Sequence, residues 1–160
     1  MPVLVQCICK IELKEFVMVV VVSEGGRKME RELAEKVCCF MIKKMMPRVR
    51  NLVVNISFQK NLEENDGMMA YAMDLEDRVF EMGIDKELVT KHGLREFITA
   101  VCHEMVHVKQ YVRGELKYKN GKELWKGRDC TDMEYMEQPW EKEAYKLQDK
   151  LAMEVWKECL

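Results

Sequence analysis

The spacing of apolar positions changes period several times along the chain, and each change marks a predicted element. Residues 3–9 and 15–23 carry the β-branched density of strands. Gly25 and Gly26 then punctuate a turn. Over residues 28–46, Leu33, Val37, Phe40 and Met41 recur at helical spacing until Pro47 ends the pattern. Residues 52–58 alternate with the two-residue period of a strand, and 68–73 and 78–84 read as two more. A second helix is expected over 94–112, with Gly93 before it and Gly114 after it. Residues 117–127 read as a hairpin with Asn120 and Gly121 at its tip. A third helix follows over 140–156, where Ala144, Leu147, Leu151 and Val155 form an inward stripe. Strands, helix, strands, helix, hairpin, helix is the order of an α+β fold. With 160 residues and no internal repeat, low-complexity tract or Pro/Ser-rich linker, a single domain over 1–160 is expected.

Composition narrows the function classes. The hydrophobic fraction is 48% and the charged fraction 34%, as in ordinary globular proteins. Twenty-six Lys and Arg against 28 Asp and Glu leave a formal charge of -2, which gives no electrostatic argument for nucleic acid or an anionic membrane. The local cluster Lys43, Lys44, Arg48 and Arg50 reads as a solvated helix end. The longest apolar run, residues 16–22, is far too short to span a bilayer. Residues 1–10 are apolar but lack the basic stretch and small-residue cleavage site of a secretory signal. The seven cysteines are an odd set, mostly within apolar strand or helix patterns, so reduced buried thiols and a cytoplasmic location are expected.

The chemistry is concentrated on the helix over 94–112. His103 and His107 stand four residues apart, one turn above each other on one face. Two imidazole nitrogens so placed can reach one tetrahedral zinc ion at about 2.0–2.1 Å. Glu104 lies between them, rotated around the helix, where it reaches a water on the metal instead of the metal itself. Zinc lowers the pKa of such a water towards about 7, and a neighbouring carboxylate can take its proton as it attacks a carbonyl. The alternative, two histidines packed in a core beside a solvated Glu104, would more naturally place apolar residues at 103 and 107, because Ala100, Val101, Val108 and Tyr111 already flank them.

A catalytic zinc usually has three protein ligands and one open position. The remaining histidine, His92, stands eleven residues before His103 and outside the helix, on an expected exposed loop. Cys130 is isolated in a polar loop. Acidic residues downstream are the better source. Pro139 suits a first helical turn, and the helix behind it carries Glu141 and Glu143. Either carboxylate could simply complement the helix dipole. Glu141 has the better context as a ligand, since Ala144 one turn later permits close helix approach. Tyr111, Tyr135 and Tyr145 are candidate donors to an oxyanion.

His103-Glu104-Met105-Val106-His107, followed by Pro139-Trp-Glu-Lys-Glu-Ala144, resembles the gluzincin group of zinc metallopeptidases, and is similar to small metallopeptidase-like proteins that include phage-encoded ones. The resemblance covers residues 94–151. It implies His103, His107 and Glu141 as zinc ligands and Glu104 as general base and acid. It also implies a sheet beside the active-site helix, with an edge strand along which an extended peptide can lie; residues 78–84 are the expected edge strand. The expected function is zinc-dependent peptide hydrolysis. The alternative is a catalytically inactive, zinc-stabilised binding or assembly protein, which a closed metal site without a groove would favour. Hydrolysis of a non-peptide amide is a third reading, because the motif specifies activation of water and not the substrate.

Overall fold

The structure, a computed structural model, describes residues 6–10 and 18–160, so parts of the expected strands over 3–9 and 15–23 lie outside the described residues. In chain order the elements are β1 (Gln6–Lys10), β2 (Met18–Glu24), α1 (Lys28–Met45), β3 (Asn51–Gln59), α2 (Leu62–Asp66), β4 (Ala70–Asp74), β5 (Val79–Asp85), α3 (Leu88–Val112), β6 (Leu116–Lys119), β7 (Lys122–Trp125), β8 (Arg128–Asp129) and α4 (Pro139–Cys159). The fold is α+β. A mixed five-stranded sheet has the order β1-β2-β3-β5-β4, and β6-β7-β8 form a small antiparallel sheet. The strands β2, β3 and β5 run parallel at its centre, while β1 and β4 pair antiparallel at its two edges.

Strand period decides which face is buried. Val19 and Val21 of β2, Leu52, Val54, Ile56 and Phe58 of β3, and Phe80, Met82 and Ile84 of β5 are all buried. They share a core with Leu33, Val37 and Met41 of α1 and Phe97, Val101, Met105 and Val108 of α3. Burying each such side chain contributes roughly 1.5–3 kcal/mol, and a one-residue register slip would turn a whole strand's set to the other face. The stripe expected on α4 is present: Ala144, Leu151 and Val155 are buried, and Leu147 packs against the same core.

Three details position α3 and its neighbouring edge. Gly93, at φ 89° and ψ 172°, breaks α3 into a short piece over 88–92 and the long helix over 94–112, as its place before the apolar pattern suggested. Asp85 accepts hydrogen bonds from the backbone N–H of Glu63 (2.9 Å) and of Glu87 (2.7 Å), holding the starts of α2 and α3 with one carboxylate. Burial pushes that carboxyl up, but these bonds outweigh it and leave it below the usual range. On β4, the Tyr71 ring lies across Gly83 of β5 so closely that a Cβ there would sit 2.2 Å from it. The Tyr71 hydroxyl donates to Glu81 and accepts from Gln59, both at 2.8 Å.

Several expectations change. The strand expected over 78–84 is β5 (Val79–Asp85), which lies inside the sheet between β3 and β4, so the edge beside α3 is β4. The reason is the hairpin that joins β4 to β5, which adds β4 as the outermost strand. The hairpin over 117–127 is present with Asn120 and Gly121 at left-handed φ, but β8 extends it to three strands. The short α2 carries too few apolar residues to register as a period. Cys102, Cys130 and Cys159 are free thiols, whereas Cys39 is disulfide-bonded, so the expectation of reduced thiols fails there. Among the described residues no helix is long and apolar enough to cross a membrane.

Candidate metal centre

One side of α3 is committed to the core through Val101, Cys102, Met105, Val106 and Val108. The histidines project from a different side, where α4 crosses. The first turn of α4 is anchored by Trp140, which is buried against Leu116, Cys130 and Trp125. Ala144, with no exposed surface, leaves room for α4 to approach α3 closely. That approach delivers Glu141. Its Oε2 lies 3.2 Å from His103 Nε2 and its Oε1 lies 3.2 Å from His107 Nε2. The two Nε2 atoms are 3.1 Å apart. Each of the three residues offers one ligand atom within 4.8 Å of the others, and all three are buried. The structure thus brings together the two motif histidines and the preferred carboxylate.

The remaining imidazole nitrogens are held from behind. His103 Nδ1 lies 2.8 Å from Gln148 Oε1, and His107 Nδ1 lies 2.9 Å from Gln110 Oε1. The Gln110 amide nitrogen is committed elsewhere, donating to the Trp140 carbonyl (3.0 Å) and to Glu143 (2.8 Å). Its oxygen must therefore face His107, so Nδ1 carries the proton and Nε2 turns a lone pair towards the cluster. Replacing Gln110 by Leu removes this acceptor, and zinc affinity is expected to fall roughly 10–100-fold. Titration with a competing chelator measures it, and an unchanged affinity would show that Gln110 does not orient the ring.

The electrostatics follow from this closeness. Burial pushes the Glu141 carboxyl up, yet hydrogen bonds with His103, His107 and Tyr135 outweigh it and hold the group well below the usual carboxylate range. Burial pushes His107 down, but Glu141 and Glu104 reverse this and raise it. Two imidazole nitrogens and a carboxylate converging out of solvent require a positive charge at their focus, either a proton or a cation. Nitrogen, nitrogen and carboxylate oxygen are a donor set that suits zinc, so the residues fit the ion. Glu104 stands beside this group without joining it. Burial pushes its carboxyl up against the opposing influence of His107 and His103, and the backbone N–H of Ala72 on β4 donates to it.

The other candidates fall elsewhere. His92 lies 2.9 Å from Glu63 and is not part of the cluster. Glu143 is engaged by Gln110 and by Lys109, which also pairs with Glu115 at 2.8 Å. Cys130 is buried with Leu116 and Trp140. Of the tyrosines, Tyr111 packs against Phe80, at 6.1 Å between ring centroids. Tyr135 donates to Glu141 Oε2 at 2.8 Å, and the Tyr145 ring stands edge-on to His103 at 4.8 Å. Gln110 and Gln148 were missed in the sequence. Gln110 stands three residues after His107, and Gln148 stands seven after Glu141, so both spacings carried a usable signal.

A groove of about 470 Å³ opens on this cluster. Its walls include Ala70 and Ala72 of the edge strand β4, Ala100 and Glu104 of α3, and Tyr135 and Tyr145. Compared with known proteins, the chain matches no family model, no curated protein and no solved structure.

Proposed function

We propose that this protein is a zinc-dependent metallopeptidase that hydrolyses peptide bonds in the groove between β4 and the long helix α3. The observation that carries the reading is that His103, His107, Glu141 and Glu104, though largely buried, all line one groove of substrate size. A purely structural zinc site is closed by four protein ligands, whereas three donors facing a groove leave a position for water or substrate. Zinc there would polarise the scissile carbonyl and acidify the attacking water.

The chain's own residues account for the rest. Among the described residues no strand pairs with the outer side of edge strand β4, so an extended peptide can add there beside the Ala72 N–H that meets Glu104. Glu104, turned towards β4, takes a proton from the attacking water and returns it to the leaving nitrogen. The carbonyl carbon gains the hydroxyl, the C–N bond breaks, and the products are one carboxylate and one amine. Tyr145, whose hydroxyl is 3.4 Å from that of Tyr135, stands over the groove to donate to the developing oxyanion.

The test is metal analysis of the purified protein together with cleavage of a peptide library. About one zinc per chain and discrete cleavage products, both lost after chelation and restored by zinc, are expected. Stoichiometric zinc with no cleavage would favour the inactive binding or assembly protein.

A further inference from the structure

We propose that Glu96 gives the groove a preference for peptides carrying lysine or arginine within two residues of the scissile bond. This rests on the reading of the groove as a peptide site. Glu96 lines the groove from the same helix as the histidines. It stands seven residues, two turns, before His103, with Ala100 between them on that face. Two turns place it about 10 Å along the α3 axis from His103. An extended peptide advances about 3.3 Å per residue, so one or two residues and a long side chain cover the distance.

Three observations point to a cation at this end. Among the described residues no hydrogen bond or ion pair engages the Glu96 carboxylate. The groove is lined by Glu96, Glu104 and Glu141, and by no lysine or arginine. Glu104 and Glu141 are committed at the metal end, so Glu96 is the carboxylate left to meet a substrate charge. Its surroundings also suit an aliphatic stem. Met68 and Met69, 43% and 37% exposed, line the same groove with Ala100. Flexible thioether chains and a small floor accommodate the methylenes of lysine or arginine while the charged head reaches Glu96. The alternative, an ordinary solvated carboxylate on a helix surface, predicts no dependence of peptide binding on this residue.

Two measurements test the preference. The first is binding of a hexapeptide series, differing only in lysine, norleucine or glutamate at one position, to zinc-loaded Glu104→Gln protein. The second is the cleavage-site pattern of the wild type on a peptide library. Lysine peptides should bind about five-fold tighter than norleucine peptides, and the difference should shrink at high salt. Glu96→Gln should erase it, and Glu96→Lys should reverse it in favour of glutamate. Lysine preference in binding that Glu96→Gln erases, without any cleavage, would sustain the contact with Glu96, overturn its placement beside a scissile bond and overturn the peptidase reading. Cleavage that is indifferent to these charges, or unchanged in Glu96→Lys, would overturn the inference and leave the peptidase reading standing. No binding and no cleavage would overturn both.

Discussion

Glu104→Gln is expected to lower peptide turnover by roughly 10²–10⁴-fold while leaving zinc content unchanged. The change keeps the size of the side chain and an oxygen that can still accept from the Ala72 backbone N–H, but that oxygen cannot take a proton. The residue contributes no atom to the group formed by His103, His107 and Glu141, so nothing in that group is removed. Folding gives no confounding loss. Burial raises the Glu104 carboxyl, which means that the folded state disfavours its charged form, and a neutral amide relieves this. The variant without metal should melt no lower than the wild type. Zinc analysis, thermal melting and single-turnover cleavage together separate the outcomes. Loss of zinc would assign Glu104 to the ligand set, and activity within a few-fold of wild type would remove it from proton transfer.

The second large effect concerns Glu141. Glu141→Ala should weaken zinc binding at least about 100-fold, since even the partners behind a ligand cost 10–100-fold when removed. The consequence is measurable as stability. Zinc at a hundred times its dissociation constant stabilises the wild type by about 2.7 kcal/mol, or roughly 5–10 °C in melting temperature at this chain length. The same zinc concentration would only match the dissociation constant of the variant, and the gain would shrink to about 0.4 kcal/mol. Full zinc occupancy in Glu141→Ala would sink the assignment.

The pair also sets a pH signature in protein stripped with a chelator. His107 is raised in the folded state, so its contribution is complete below its unfolded pKa of about 6.5 and is lost as pH rises through the folded value. Glu141 is lowered, so its contribution is present above the unfolded carboxylate pKa and is lost as pH falls through the folded value. Melting temperature of the stripped wild type should therefore decline on the alkaline side of neutrality. In Glu141→Ala that decline should flatten, because the hydrogen-bonded one of the two carboxylates that raise His107 is gone and only Glu104 remains.

Where the sequence was sufficient, the cause was local. The α1 helix, the strand β3, the break at Gly93, the turn at Asn120 and Gly121 and the stripe on α4 all follow from period, left-handed backbone demands or stop signals within a few residues. The i, i+4 spacing of His103 and His107 on one helix face is likewise a property of the chain alone, because a helix fixes that geometry wherever it packs. So is the composition that offers no electrostatic case for nucleic acid.

The tertiary structure decided what depends on residues far apart in sequence. Glu141 and Glu143 are two residues apart, and both were open as the third member of the cluster. They part because a two-residue step turns the side chain about 200° around a helix, so that with α4 docked on Ala144 one carboxylate meets the histidines and the other meets Lys109 and Gln110. Burial of Trp140 against Leu116 and Cys130 fixes that docking. The choice of β4 over β5 as the edge strand was equally out of local reach. Strand order is set by which hydrogen-bonding edges meet, and period within a strand reports only which face is buried. The motif's five residues thus set the chemistry that this chain can attempt. The crossing of α4 over α3, and the placing of β4 beside them, set where a carboxylate, two imidazoles and a groove coincide.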